Sequence, residues 1–124
     1  VATYQTTSPT SLADELACVT KAGAVAQNNI TGSTTGKIYI LEADNTLNTD
    51  FGIYLNIADA SSATAGTTNP HFRFFIPKGR KTSFIWGDGH TYSAGVSLWV
   101  TTDKATASTS GPTNNVVIKM VVTA

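Results

Sequence analysis

The sequence predicts an all-β chain, an antiparallel β-sandwich of the jelly-roll or immunoglobulin-like kind with about seven or eight short strands. Three observations carry that expectation. Charged residues make up only 13% of the 124 positions, against roughly 25% in an average soluble domain. Thr and Ser fill about a quarter of the chain instead, and β-branched Thr favours a pleated, half-exposed surface. Finally, apolar residues alternate in short runs bounded by Gly, Pro, Asn and Asp, the period-two signature of strands with one buried face. The length fits one domain with its own core, residues 1–124, and neither a repeat nor a linker divides it.

The elements follow in chain order. Ser11 to Ala17 has a capping Ser and early acids that could open a helical turn. Cys18-Val19-Thr20 favours extension, however, so strands are the preferred reading, with residues 1–18 set apart as an N-terminal arm. Lys21-Ala22-Gly23-Ala24 reads as a turn into a second strand that ends near Ile30. Lys37 to Glu42 is a compact strand. Ile53, Leu55 and Ile57 share one face of the next, and Phe72, Phe74 and Ile76 share one face of the strand after that. Pro77-Lys78-Gly79-Arg80 breaks the run before Thr82 to Trp86 starts another strand.

Val96, Leu98 and Val100 point one way, with Ser97 and Trp99 opposite, and Asn115 to Thr123 forms a Val-rich last strand. Ala60 to Pro70 and Thr102 to Asn114 are Ser/Thr/Gly-rich surface loops, without the apolar content to order themselves alone.

Composition narrows the function classes. Eight basic and eight acidic residues leave a formal net charge of zero, and no basic run exists. The electrostatic footprint of a nucleic-acid binder is therefore missing. No apolar stretch has the length of a membrane span, and no secretory signal pattern is present. Cys18 is the only cysteine, which precludes an internal disulfide and a thiol-rich metal centre. Its expected role is that of a small core residue.

Candidate chemistry concentrates in Phe84 to Val100, FIWGDGHTYSAGVSLWV. Asp88, His90 and Ser93 are the residue types of a nucleophilic triad, but nothing in the spacing aims base at nucleophile beside an oxyanion hole. They read instead as the polar contents of a connection between two strands, with Gly87 and Gly89 supplying the positive φ of a tight reversal. No catalytic residue is assigned, and the chain is read as a non-enzyme. Neither His71 nor His90 has metal-ligand partners at zinc spacing. The acidic, Asn-rich stretch Glu42 to Asp50 lacks the Gly and closing Glu of a calcium loop, so it is read as a polar hairpin turn. No metal or cofactor is expected.

Asn29-Ile30-Thr31 matches the glycosylation sequon, as expected by chance in a Thr-rich chain. By alternation Trp86 belongs to the core, whereas Trp99 faces away from it. Tyr92, Trp99, His90 and Asp88 are accordingly the candidate interface residues, as protein anchors or, for the two rings, as stacking surfaces for sugars.

The order of short pieces along the chain resembles a group of small virion proteins of tailed bacteriophages. The matching pieces are Lys21-Ala22-Gly23, Ile38-Tyr39-Ile40-Leu41, Ile57-Ala58-Asp59, Ile76-Pro77-Lys78-Gly79, Tyr92-Ser93-Ala94-Gly95-Val96 and Val100-Thr101-Thr102. Asn114-Asn115-Val116-Val117 fits the opening of the last strand. Ile40 to Phe51 departs from the group as an insertion-like polar loop, and the segment before Val19 is unmatched.

The resemblance implies a non-enzymatic β-sandwich in a phage particle. The expected role is a capsid decoration, or cement, protein bound to the major capsid shell at the virion surface, in homo-oligomeric form such as a trimer. The alternatives are a tail-, neck- or fibre-associated virion protein, or a carbohydrate-binding adhesin module.

Overall fold

The computed structural model describes residues 15–123. Its strands are β1 (Glu15–Ala22), β2 (Gly36–Asp44), β3 (Ile53–Asp59), β4 (Phe72–Ile76), β5 (Lys81–Tyr92), β6 (Val96–Thr101) and β7 (Val116–Thr123). Two antiparallel sheets form, one in the order β1-β7-β2-β5 and the other β4-β3-β6. The segment after β1 runs along the free edge of β6. Val100 N–H donates to Gly23 O, Gln27 and Leu98 exchange both backbone bonds, and Ile30 N–H donates to Val96 O.

With that segment counted as an eighth strand, each sheet has four, and the chain passes between the sheets in jelly-roll order. The all-β sandwich expectation holds. The possible helical start at 11–17 lies largely outside the described residues, and from Glu15 onwards the chain is strand.

The core lies between the sheets. Ile38, Leu41 and Ala43 of β2 and Val116, Ile118, Met120 and Val122 of β7 meet Ile53, Leu55 and Ile57 of β3 and Val96, Leu98 and Val100 of β6. In β7 the alternation is unbroken. In β2 it slips, because Ile38 and Leu41 both point inward, three positions apart. A bulge explains this: Ile38 pairs with Val122 and Ile40 with Val121, so β2 spends one more residue than β7 over the same step.

A larger irregularity lies in β5. Ile38 pairs with His90 while Ile40 pairs with Ile85, so the surplus residues around Gly87-Asp88-Gly89 loop out of the ladder. This corrects the expected reversal at Gly87 to Gly89. The strand continues through them to Tyr92, and the chain turns at Ser93 to Gly95 instead. Gly89 does carry a left-handed φ of 78°, which the bulge uses in place of a turn.

Cys18 is a second correction. It lies on β1 opposite Lys119 and its side chain is exposed. Strand parity places Ala17, not Cys18, on the buried face.

The two polar loops form a third layer. Trp99 projects from the outer face of the three-stranded sheet, away from the main core as parity requires. There it packs with Ala58 and Ala63, and with Ala26, Ala60 and Ala65 at the margin. The Thr102 to Asn114 loop is tied down beside it, since Arg73 donates to both Asn56 Oδ1 and Thr106 Oγ1 at 2.8 and 3.0 Å. Gly66 sits so close to Thr109 that a Cβ there would stand 2.8 Å from its methyl group. Neither loop has a core of its own; each is ordered by the sheet it covers.

Candidate functional site

The structure separates the four candidate interface residues. Trp99 is 2% exposed and Tyr92 is 1% exposed, which corrects their assignment as contact residues. Trp99 lies under the alanine-rich lid just described. Tyr92 closes one end of the sandwich, its hydroxyl within 3.2 Å of both Thr31 Oγ1 and Thr123 O. Its polar end is spent inside the fold. Asp88 is exposed on the β5 bulge. His90, half-buried, packs its ring edge-on to Phe72 at 4.6 Å between centroids, with Trp86 at 6.2 Å.

His90 thus belongs to an aromatic seam that closes the side of the sandwich where β4 and β5 face each other. Phe74 stacks on Phe84 at 4.2 Å, and Trp86 lies about equally far from Phe72 and Phe74, at 5.8 and 6.0 Å. Trp86 therefore packs against the core, as its alternation implied. Beside the seam is a crevice lined by Asp59, His71, Phe72, His90 and Tyr92, among others, with room of about 10 Å³. That is the volume of a single water, not of a substrate.

Nor do Asp88, His90 and Ser93 assemble. The partner of Ser93 is Asp59 at the end of β3. Asp59 accepts the backbone N–H groups of Ser93 at 3.0 Å and of Ala94 at 2.8 Å, pinning the β5–β6 turn to the end of β3. Burial pushes the Asp59 carboxyl up, but the N–H groups of Ala94 and Ser93 outweigh it and hold the group below the ordinary carboxylate range. The Asp59 N–H in turn donates to His71 Nδ1 at 3.0 Å. The constellation has the chemistry of a turn clamp.

The oxygen-rich loop after β2 is likewise turned inward. Asn45 and Asn48 are fully buried. The Asn45 amide nitrogen reaches the carbonyls of Phe51, Ile76 and Pro77 at 3.2–3.4 Å. Asn48 bonds Asn45 Oδ1 and Asn114 O and accepts from Asn114 N–H. Asp44, at the loop entrance, is held below its usual range chiefly by the Thr46 hydroxyl and the Thr46 N–H. These groups serve one another, the Thr46 hydroxyl and backbone atoms of the chain itself.

The feature that one-dimensional reading missed is a row across the outer face of the four-stranded sheet. Leu16 of β1 lies opposite Val121 of β7, Val121 opposite Ile40 of β2, and Ile40 opposite Ile85 of β5. Four apolar side chains thus cross the whole sheet in register. Leu16 is 64% and Ile85 73% exposed. The neighbouring row, Cys18, Lys119, Glu42 and Ser83, is polar, and Glu42 lies 4.0 Å from Lys81 in a loose ion pair.

Isolated exposed aliphatics are ordinary, but a contiguous apolar strip rimmed by polar residues marks a contact surface. Its members lie far apart in sequence, so only the strand register brings them together. No protein-family model, curated protein or solved structure matches the chain.

Proposed function

We propose that the chain is a structural protein of a tailed-bacteriophage particle, specifically a decoration protein bound to the major capsid shell. The observation that carries the reading is the bare Leu16–Val121–Ile40–Ile85 row with its charge-balanced polar flank. A flat sheet face of this kind meets another protein surface through burial rather than through charge. Beside it stands the resemblance, carried by the ordered pieces from Lys21-Ala22-Gly23 to Asn114-Asn115-Val116-Val117. A net charge of zero limits repulsion between neighbouring copies in a dense layer. The reading assigns no catalytic role to any residue and makes the protein a homo-oligomer, with a trimer as one closed form that suits a symmetric shell.

The test is saturation binding of the purified protein to undecorated capsids of its phage. Wild-type protein is expected to saturate at on the order of hundreds of copies per particle, as repeated decoration of a symmetric shell demands. Ile85→Lys, which sets a charge into the exposed β5 end of the apolar row, is expected to abolish binding while leaving the fold intact. Saturation at a dozen copies or fewer would move the protein to the tail, neck or fibres. No binding at all would sink the decoration reading.

A further inference from the structure

A second surface lies at the other face of the molecule, and it is built differently. Phe51, just before β3, is 63% exposed, and Phe75 of β4 is 52% exposed. Tyr54 of β3 pairs with Phe75 across the ladder, their rings 5.2 Å apart and tilted by 52°. Phe75 also lies against the backbone of Gly52, where a Cβ would come within 2.5 Å of its ring. Any other residue at position 52 would displace that ring. Glycine thus lets the Phe75 ring lie against the chain beside Tyr54, and Tyr54 and Phe51 line one groove.

This open groove of about 450 Å³ is lined by Phe51, Tyr54, Thr102, Asp103, Lys104 and Ser110. A smaller hollow of about 120 Å³ continues it past Phe51 and Thr102. The polar side is pre-set by the chain's own bonds. Thr101 Oγ1 donates to Asp103 O, Ala105 N–H donates to Asp103 Oδ1, and Thr102 N–H donates to Ser110 O. Hydrogen-bonding capacity is left over: among the described residues, Lys104 Nζ, Tyr54 Oη and Asp103 Oδ2 have no hydrogen-bond partner within the chain.

We infer that this groove binds a neutral oligosaccharide, stacked by its C–H faces on Phe51 and Tyr54 and hydrogen-bonded at its hydroxyls by Asp103, Lys104 and Ser110. The groove is open to solvent, so a ligand would lie along it rather than be enclosed. One acid and one amine give no net charge, which suits an uncharged ligand and not a phosphate backbone. Both donors and acceptors stand at the rim, as a ligand with hydroxyls all round requires. The backbone of the rim is already tied by the chain's own bonds, so the ordering left for binding falls on side chains. The site goes beyond the decoration reading and does not depend on it.

The experiment is a glycan array followed by titration of the full chain with array hits, and with cellotetraose, maltotetraose and chitotetraose, read by amide chemical shifts. Saturable shifts confined to residues around Phe51, Tyr54 and Asp103–Ser110 are expected for at least one saccharide. Phe51→Ala and Asp103→Asn, both at exposed positions, are each expected to weaken it about tenfold or more, with the amide spectrum otherwise unchanged. An array with no hit and no shift from the three probes overturns the inference. So does binding that maps elsewhere or survives both substitutions. A short oligothymidine that binds the groove in preference to every sugar overturns it too, by putting a nucleic acid there. Capsid saturation by Phe51→Ala stays at the wild-type level if the two surfaces are separate, so failure here leaves the virion reading standing.

Discussion

Asn48 Nδ2 donates to Asn45 Oδ1 over 2.8 Å with both side chains shut away from water. This pair fastens the β2–β3 loop to the ends of β4 and β7, because each amide spends its remaining capacity on carbonyls from those regions. Such a relay is valuable less for the bonds it makes than for the buried groups it prevents from being orphaned. Asn45→Ala is expected to cost about 1–3 kcal/mol. Asn45→Asp, nearly the same shape, should cost at least as much, since it turns an acceptor towards three carbonyl oxygens. Urea unfolding of the two variants checks the order; an Asp variant as stable as wild type would show the relay to be idle.

Asp59 makes stability depend on pH. Its folded carboxyl titrates below its unfolded value, so its contribution is complete above the unfolded value and is lost as pH falls through the lower, folded one. Asp59→Asn should therefore be less stable than wild type at neutral pH, and the gap should narrow as the solution is acidified through that window. The measurement is the difference in denaturant midpoint between the two proteins as a function of pH. A gap that stays constant into acid would remove the carboxylate from the account.

Trp99 provides a test of the third layer. Trp99→Ala is expected to destabilise by about 3–5 kcal/mol, as for other buried large side chains. It should also loosen the 60–70 loop, which has little else to pack upon. Hydrogen exchange reports the second effect: amides such as Ala63 N–H, bonded to Asn28 Oδ1, should lose protection before those of β7.

Gly87 and Gly89 are neighbours on the β5 bulge with different demands. Gly89 holds φ at 78°, and a Cβ there would lie 2.9 Å from Tyr39 Cε1; Gly87 has neither constraint. Gly89→Ala is expected to lower stability by about 1–3 kcal/mol, and Gly87→Ala by no more than about 0.5 kcal/mol. Thermal melts of the pair decide it, and equal losses would argue against the bulge geometry.

These cases also explain which parts of the molecule could be read in one dimension. The alternation in Val116–Val122 survives as alternating burial because its two faces have unlike neighbours, whereas in Leu55–Ala58 of β3 both faces are buried. Trp99 shows the limit. Alternation placed it correctly on the face away from Val96, Leu98 and Val100, yet it is buried, because a distant alanine-bearing loop folds over that face. Parity predicts a direction; it cannot tell what lies there.

The Gly87-Asp88-Gly89 segment misled for another reason, since a bulge and a reversal call for the same glycines. Tyr92 closes an end of the barrel-like stack because its hydroxyl meets Thr31 and Thr123, residues that no local pattern links to it. The outer row is harder still, for it exists only once β1, β7, β2 and β5 are laid in register.

One sheet of the sandwich is clad by loops on its outside, and the other is left bare. The molecule is therefore a tile with a glazed side and a raw side. Under the proposed decoration role the raw side is the one laid down. The outward properties of such a layer then rest with the cladding loops and the Phe51 and Phe75 rings beside them, where changes leave the bond beneath undisturbed.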